Sequence, residues 1–500
     1  MNFAVSTVIL NVSKMNAQLE QDLAQINDLL SATQTFSTHF LSNIDELPAS
    51  KYMPPPGNAT LLPEQGIGAM AALQQFRQQY GPYLAAGAGP RYWGFVTGGV
   101  TPAALAGDWV ASAIDMNAAD KGGAAFNIEI ATIQMLRQLF GLPDDFEGSF
   151  VSGATMSNFA GLAVARQWLG EQQGVDVGQQ GIGALQEPKI LACTPHSSVA
   201  KSLSMLGLGR DALVKIPALP QREAVDVDAL EAWLQQHKGR PVIFVASAGT
   251  VNTTDFDDLV ALARLKQQYN FWLHVDAAFG GFAACSPQHR HLIKGWEAAD
   301  SITIDAHKWM NVPYDAAMIF CRHPSLQAAV FKNVGAAYLG DPAKDFNFIH
   351  HVPENSRRLR ALPAWYSLQA YGAKGYQDIV EANIQQAHLL GSLISDSPYF
   401  RLLAPVKLSV VCFTLSKPLN ELDEATTRFL EILAERGVAF MTPTVYLHTP
   451  AIRAALVSWR TTEQDVRRVW KEMEEIAQSL KPREEIREKP LLDKLLGFLL

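Results

Sequence analysis

The chain has 500 residues, 48% of them hydrophobic and 18% charged, with a formal net charge of −8. That is too long for one ordinary core, and the balance is that of a soluble globular enzyme built as a large domain with smaller appendages. An acidic excess without any basic block excludes a nucleic-acid partner.

Cys193, Cys285, Cys321 and Cys412 lie far apart with no paired spacing, which argues against a disulfide framework and a zinc site, so no metal is expected. No apolar run approaches the roughly 20 residues that an integral membrane span needs. The start, Met1 to Leu10, lacks a basic region and a clear cleavage site, so the expectation is no signal peptide and a cytoplasmic location. The apolar end, Leu491 to Leu500, reads as packing on the body or on a partner subunit rather than as a membrane-surface anchor.

In chain order, residues 15 to 45 read as helical and lead to Pro54-Pro55-Pro56-Gly57, which must be an extended arm or loop. From about residue 100 to 385, short apolar runs alternate with longer helical stretches. The runs at Ile190–Cys193, Val242–Val245, Phe271–Val275, Ser301–Ile304 and Ala317–Phe320 predict strands buried on both faces, and hence a mostly parallel sheet sandwiched by helices. A long helical region at 361 to 395 then introduces a smaller α+β segment. Its last helix opens at Thr462, with Asp465 three positions on as a variant capping box, and carries an apolar stripe from Val466 to Leu480. The expected parts are an N-terminal helical and arm segment (1–95), a large α/β domain (96–385) and a small C-terminal α+β domain (386–500).

Polar residues follow these strands at once, where open α/β sheets bind ligands. Ser152 to Asn158 places small residues before a helix, so that backbone N–H groups, with the Thr155 and Ser157 hydroxyls, can meet a phosphate; a plain helix cap has the same appearance. His196 follows the strand ending at Cys193 and is either structural or stacked on a flat ring. Gly249 to Asp258 either lines a site or simply turns. Asp276 in HVDAA and Lys308 in DAHKW each stand at a strand end, as an ordinary ion pair or as a pair serving one ligand. Pyridoxal phosphate needs such a pair: a lysine amine for its aldehyde, and a carboxylate to favour the protonated ring nitrogen.

HVDAAFGG followed by DSITIDAHKW resembles the group II pyridoxal-phosphate decarboxylases, over roughly residues 85 to 380. The resemblance implies a fold-type-I α/β architecture and a homodimer. The expected activity is decarboxylation of an L-amino acid to its amine and carbon dioxide. By position, Lys308 resembles the Schiff-base lysine, Asp276 the partner of the ring nitrogen and His196 the stacking histidine. Ala154, Thr155 and Ser157 match the phosphate loop; Thr250, Asp257 and Ala278 match positions lining the ring; His307 matches the histidine before the lysine. Tyr338 falls where the family places a loop tyrosine that returns a proton to Cα. Two departures stand out. Asp305 replaces a frequent asparagine, so it either points away from the phosphate or is neutralised. Phe95, in the substrate stretch Phe95-Val96-Thr97, replaces a polar amide, which favours an apolar or aromatic substrate side chain. Oxidative deamination, transamination or carbon–carbon lyase chemistry on the same scaffold, or a non-catalytic relative, are the rival readings.

Overall fold

The apolar runs become one sheet in a computed structural model that describes residues 16–54, 62–118, 121–334 and 346–480. Its strands are β1 (Glu147–Val151), β2 (Ile190–Ala192), β3 (Leu213–Lys215), β4 (Val242–Ser247), β5 (Phe271–Asp276), β6 (Ser301–Ile304) and β7 (Ala317–Cys321). They lie in the order β1-β7-β6-β5-β4-β2-β3, and β7 alone runs antiparallel to its neighbours. The ends of β1, β2, β4, β5 and β6 therefore open on one edge, and the segments at 152–158, 196, 249–258, 276 and 305–308 leave from that edge.

Strand alternation decides the two faces. Leu191, Phe244, Leu273, Val275, Ile302 and Phe320 pack with Ala104, Leu136, Phe140 and Leu262 from the helices on one side. Ile190, Ala192, Ile243, Val245 and Trp272 pack with Leu162, Leu169, Val199 and Leu203 on the other. The helix Ala154–Glu171 covers this second face, where the buried polar side chains His274, Ser301 and Thr303 also point.

A second core forms around β8 (Phe400–Leu402), β9 (Val410–Leu415), β10 (Thr442–Tyr446) and β11 (Thr449–Ala455), an antiparallel sheet in the order β10-β11-β9-β8. The helix Ala361–Asp396 supplies both cores, Ile384 to the first and Ala387 to the second, and breaks at Gly372, whose φ of 58° and ψ of −170° are outside the helical region. Trp93, from the expected N-terminal segment, packs into this second core. The closing helix Glu463–Ser479 has the anticipated box, with Thr462 and Asp465 capping one another's backbone. The N-terminal helical stretch is two helices, Ala17–Ala24 and Ile26–Ser42. Pro55 to Gly57 and the apolar terminus lie outside the described residues.

One buried ion pair ties this frame together. Arg357 donates to both oxygens of Glu129 at 3.1 and 2.6 Å and to the Phe150 carbonyl, while the Phe150 N–H donates to Glu129; both charged side chains are 1% exposed. Arg357→Ala strands a carboxylate in the core and should cost about 3–5 kcal/mol of unfolding free energy. Arg357→Met with Glu129→Leu should recover most of it, as read from denaturant midpoints.

Candidate active site

At the end of β6 the chain turns through Asp305 and His307 to Lys308. A Cβ at Gly98 would collide with the Lys308 carbonyl oxygen, so only glycine lets the 95–99 loop approach. The Lys308 amine stands 3.3 Å from Asp305 and 5.9 Å from the centroid of the Phe279 ring. On neighbouring β5, in register with β6 at Thr303, Asp276 accepts hydrogen bonds from Asn158 Nδ2 at 2.9 Å and from the Ala278 N–H at 3.2 Å. His196 caps the helix Ser197–Met205, and its Nδ1 receives the Ser198 N–H. Burial lowers the His196 pKa, and the charges of Asp276, Lys308, Arg453 and Asp305 all act on it. The lysine, the carboxylate and the imidazole thus lie close enough together at the sheet edge for the two charges to act on the ring.

Asp305 does not point away. It accepts from the Ala154 N–H (3.4 Å) at the start of the helix Ala154–Glu171, where Gly153 has no side chain to do so, and lies 3.1 Å from His307 Nε2. Burial works to raise its pKa, but Lys308 and His307 more than offset this and hold it below the usual carboxylate range. It is therefore a neutralised anion. His307 accepts the Ala316 N–H on Nδ1 and packs against the Tyr314 ring, 4.3 Å between centroids.

Three expectations need correcting. The Ser157 hydroxyl is fully buried and bonded to Thr303 and the Met318 carbonyl, because residue 157 has already turned toward the sheet. Asp257 takes the backbone N–H groups of Ser247 and Val225, bracing the β4 turn instead of reaching a ring. Val96 sinks into the main core at 2% exposure, leaving Phe95 and Thr97 as the lining. Thr250 donates its hydroxyl to Glu223. Thr155 is half-buried in the helix's first turn, and Ala278 offers its backbone to Asp276. Tyr338 lies outside the described residues.

Sequence reasoning missed Asn158 and Tyr314, and for Arg453 it leaves open a carboxylate ligand or a surface or structural cation, favouring the latter slightly. Asn158 carried a signal, being a polar residue in a largely apolar helix. Arg453 on β11 is buried, donates to the Val251 carbonyl and Thr442, and keeps a buried Nε with no partner; burial lowers its pKa to about 10.

Residues 61–416 match the model of the pyridoxal-dependent decarboxylase conserved domain. The chain belongs to this family. The enzyme is 26% identical over 404 residues to an aromatic-L-amino-acid decarboxylase of Bacillus atrophaeus, covering 78% of this chain and 82% of that protein. It is 30% identical over 421 residues to an aspartate 1-decarboxylase of Aliivibrio fischeri, covering 75% of each. In fold it is similar to the Oryza sativa TDC solved with PLP and tryptamine, with a TM-score of 0.83 at 22% identity, over 93% of this chain and 98% of that one.

The decarboxylase is a pyridoxal-phosphate-dependent carboxy-lyase acting on an amino acid, and the pocket fits its cofactor. A lysine amine, a carboxylate that accepts from two N–H donors and a flat imidazole lie near one another, beside a helix start whose first N–H is turned to Asp305. When bound, pyridoxal phosphate supplies the electron sink for the bond broken at Cα. Lys308 would hold it covalently and Asp276 would keep a proton on its ring nitrogen. His196 would cover one ring face, and the N–H and hydroxyl of Thr155, next to the Ala154 N–H that Asp305 takes, would meet the phosphate. No helix among the described residues is long and apolar enough to cross a membrane.

Proposed function

We propose that the enzyme decarboxylates an L-amino acid with an aromatic or large apolar side chain. The observation that carries this is a cavity of about 480 Å³ lined by Gly87, Ala88, Tyr92, Phe95, Thr97, Gly99, Val100, Val312 and Tyr314, without a charged side chain. It adjoins His307, the residue before the lysine, since Tyr314 lies on that ring and bonds Thr97 at 3.1 Å. Burial pushes the Tyr92 phenol up to about 12 and raises that of Tyr314, so both stay neutral and offer rings and hydroxyls rather than charge. Phe95 and Val96 hold left-handed φ angles of 55° and 59°, a costly backbone that turns one ring outward and one branch inward.

Arg453 supports a second reading. A buried guanidinium with a free Nε, near enough to act on His196, would suit a substrate carboxylate, either the one lost or one on an acidic side chain. A panel of L-amino acids assayed for amine release separates the two. Aromatic substrates should exceed aspartate and glutamate in kcat/KM by about 100-fold, because desolvating an unpaired carboxylate costs several kcal/mol. Preference for an acidic substrate would transfer the case to Arg453. Measuring carbon dioxide, hydrogen peroxide and ammonia together distinguishes simple decarboxylation from oxidative release of an aldehyde.

The same proposal takes the protein as a cytoplasmic homodimer divided near residues 95 and 385, and takes Tyr338 as the group that returns a proton to Cα. Support for the dimer is the apolar side chains Leu19, Leu23 and Leu30, exposed on the first two helices. For the tyrosine it is the position in the sequence.

A further inference from the structure

Beneath the pocket runs an unbroken chain of buried hydrogen bonds between the helix Ala154–Glu171 and the sheet. Trp272 Nε1 donates to Ser301 Oγ at 3.0 Å, and Ser301 Oγ meets His274 Nδ1 at 2.8 Å. His274 Nε2 meets Asn158 Oδ1 at 2.9 Å. Asn158 Nδ2 donates twice, to Asp276 Oδ2 at 2.9 Å and to Ser198 Oγ at 3.0 Å; Ser198 Oγ in turn meets His196 Nδ1 at 2.8 Å.

The chemistry of the ends dictates the direction of every proton. An indole N–H can only donate and a carboxylate can only accept. Asn158 therefore turns its amine toward Asp276, since the flipped amide would set two acceptor oxygens 2.9 Å apart. Its oxygen faces His274, so the ring proton of His274 sits on Nε2 and its Nδ1 accepts from Ser301. Burial lowers the His274 pKa to about 4, in keeping with a neutral ring. On the other arm, the fixed Ser198 N–H already points at His196 Nδ1 from 3.2 Å, so this nitrogen is an acceptor and the ring proton is on Nε2.

We infer that Asn158 is a positioning residue that orients the Asp276 carboxylate and, by donating to Ser198 Oγ, turns that hydroxyl's proton toward the His196 Nδ1 that the Ser198 N–H already marks as an acceptor. Both contacts serve the same end. A charged Asp276 favours a proton on the cofactor's ring nitrogen, and an imidazolium on the ring face would oppose it. The packing leaves little alternative at this crossing, since Gly161, one turn on, lies so close that a Cβ there would come within 2.6 Å of the His274 ring. The functional meaning rests on the cofactor reading above; the proton positions do not.

The first test therefore uses the chain without cofactor. Long-range proton–nitrogen NMR of imidazole-labelled protein, assigned with His196→Gln and His274→Gln, should show both rings as Nε2–H near neutral pH. Finding His196 protonated on Nδ1 would overturn the inference. The second test contrasts Asn158→Ala with Asn158→Asp, which keeps the shape and the acceptor for His274 but loses both donors. Both should lower kcat/KM by roughly tenfold to a hundredfold, the worth of a hydrogen bond to a charged group. Both should also move the acidic limb of its pH profile upward as Asp276 gains basicity. Asp276 from β5, Lys308 and Asp305 from the β6 turn and Arg453 from β11 are the charged groups facing His196, and they are intact in each variant. An unchanged profile in Asn158→Asp would overturn the inference. Should either variant fail to fold, Ser198→Ala cuts the hydroxyl arm to His196 but keeps the backbone N–H, so the ring should stay Nε2–H and the acidic limb should stay where it is in the wild type; a limb shifted upward there would count against the inference. A wild-type protein that binds no cofactor would sink the pocket reading while leaving the NMR result standing.

Discussion

Replacing Lys308 with alanine should leave a folded, colourless protein whose turnover falls by on the order of 10³-fold or more, since one side chain both anchors the cofactor and moves protons at Cα. Absorbance of the bound cofactor, and its bleaching by borohydride in the wild type only, reads the covalent link directly. Lys308→Arg separates charge from chemistry: arginine can still pair with Asp305, whose carboxylate lies 3.3 Å from the native amine, but its guanidinium cannot condense with an aldehyde. Its melting temperature should stay closer to that of the wild type than the alanine variant's, while its activity should be equally low. Turnover near wild type in either variant would refute the assignment.

Asp276→Asn should be the next most damaging change. It preserves the shape, and an amide oxygen can still accept the Ala278 N–H. What disappears is the negative charge. An opposite charge at hydrogen-bonding distance shifts a neighbouring pKa by about 1–3 units, so kcat/KM should fall by about 10- to 1,000-fold. The loss should deepen with rising pH, because a ring nitrogen without its anion loses its proton at lower pH. A flat ratio of wild type to variant between pH 6 and 9 would argue that Asp276 is structural. Cofactor affinity, measured by titrating the apoprotein, should fall much less than activity.

Much of this was legible without coordinates. The five apolar runs became strands with ends shifted by no more than two residues, because a strand buried on both faces needs continuous β-branched and aromatic residues. The strand-end positions of Asp276, Lys308 and His196 followed from that. The side chains at 157, 257 and 96 were misjudged for a common reason. Each lies within a residue or two of the pocket along the chain, but local backbone rotation turns it elsewhere. Ser157 is one helical step past the turn, Asp257 is drawn back by two backbone N–H groups, and Val96 follows a left-handed residue.

Composition and pattern by themselves determined the class of fold and the edge of the sheet that carries chemistry, while Asp276 and Lys308 stayed open between an ion pair and a ligand pair until the family resemblance singled them out. These depend on periodicity and on residue type, which are local properties. The tertiary structure alone decided that Asp305 is neutralised by Lys308 and His307, that Arg453 on another sheet comes near enough for its charge to act on His196, and that Asn158 connects His274, Asp276 and Ser198. Each of these depends on side chains far apart in sequence meeting at hydrogen-bond distance, and only the packing of a helix on a sheet brings them there.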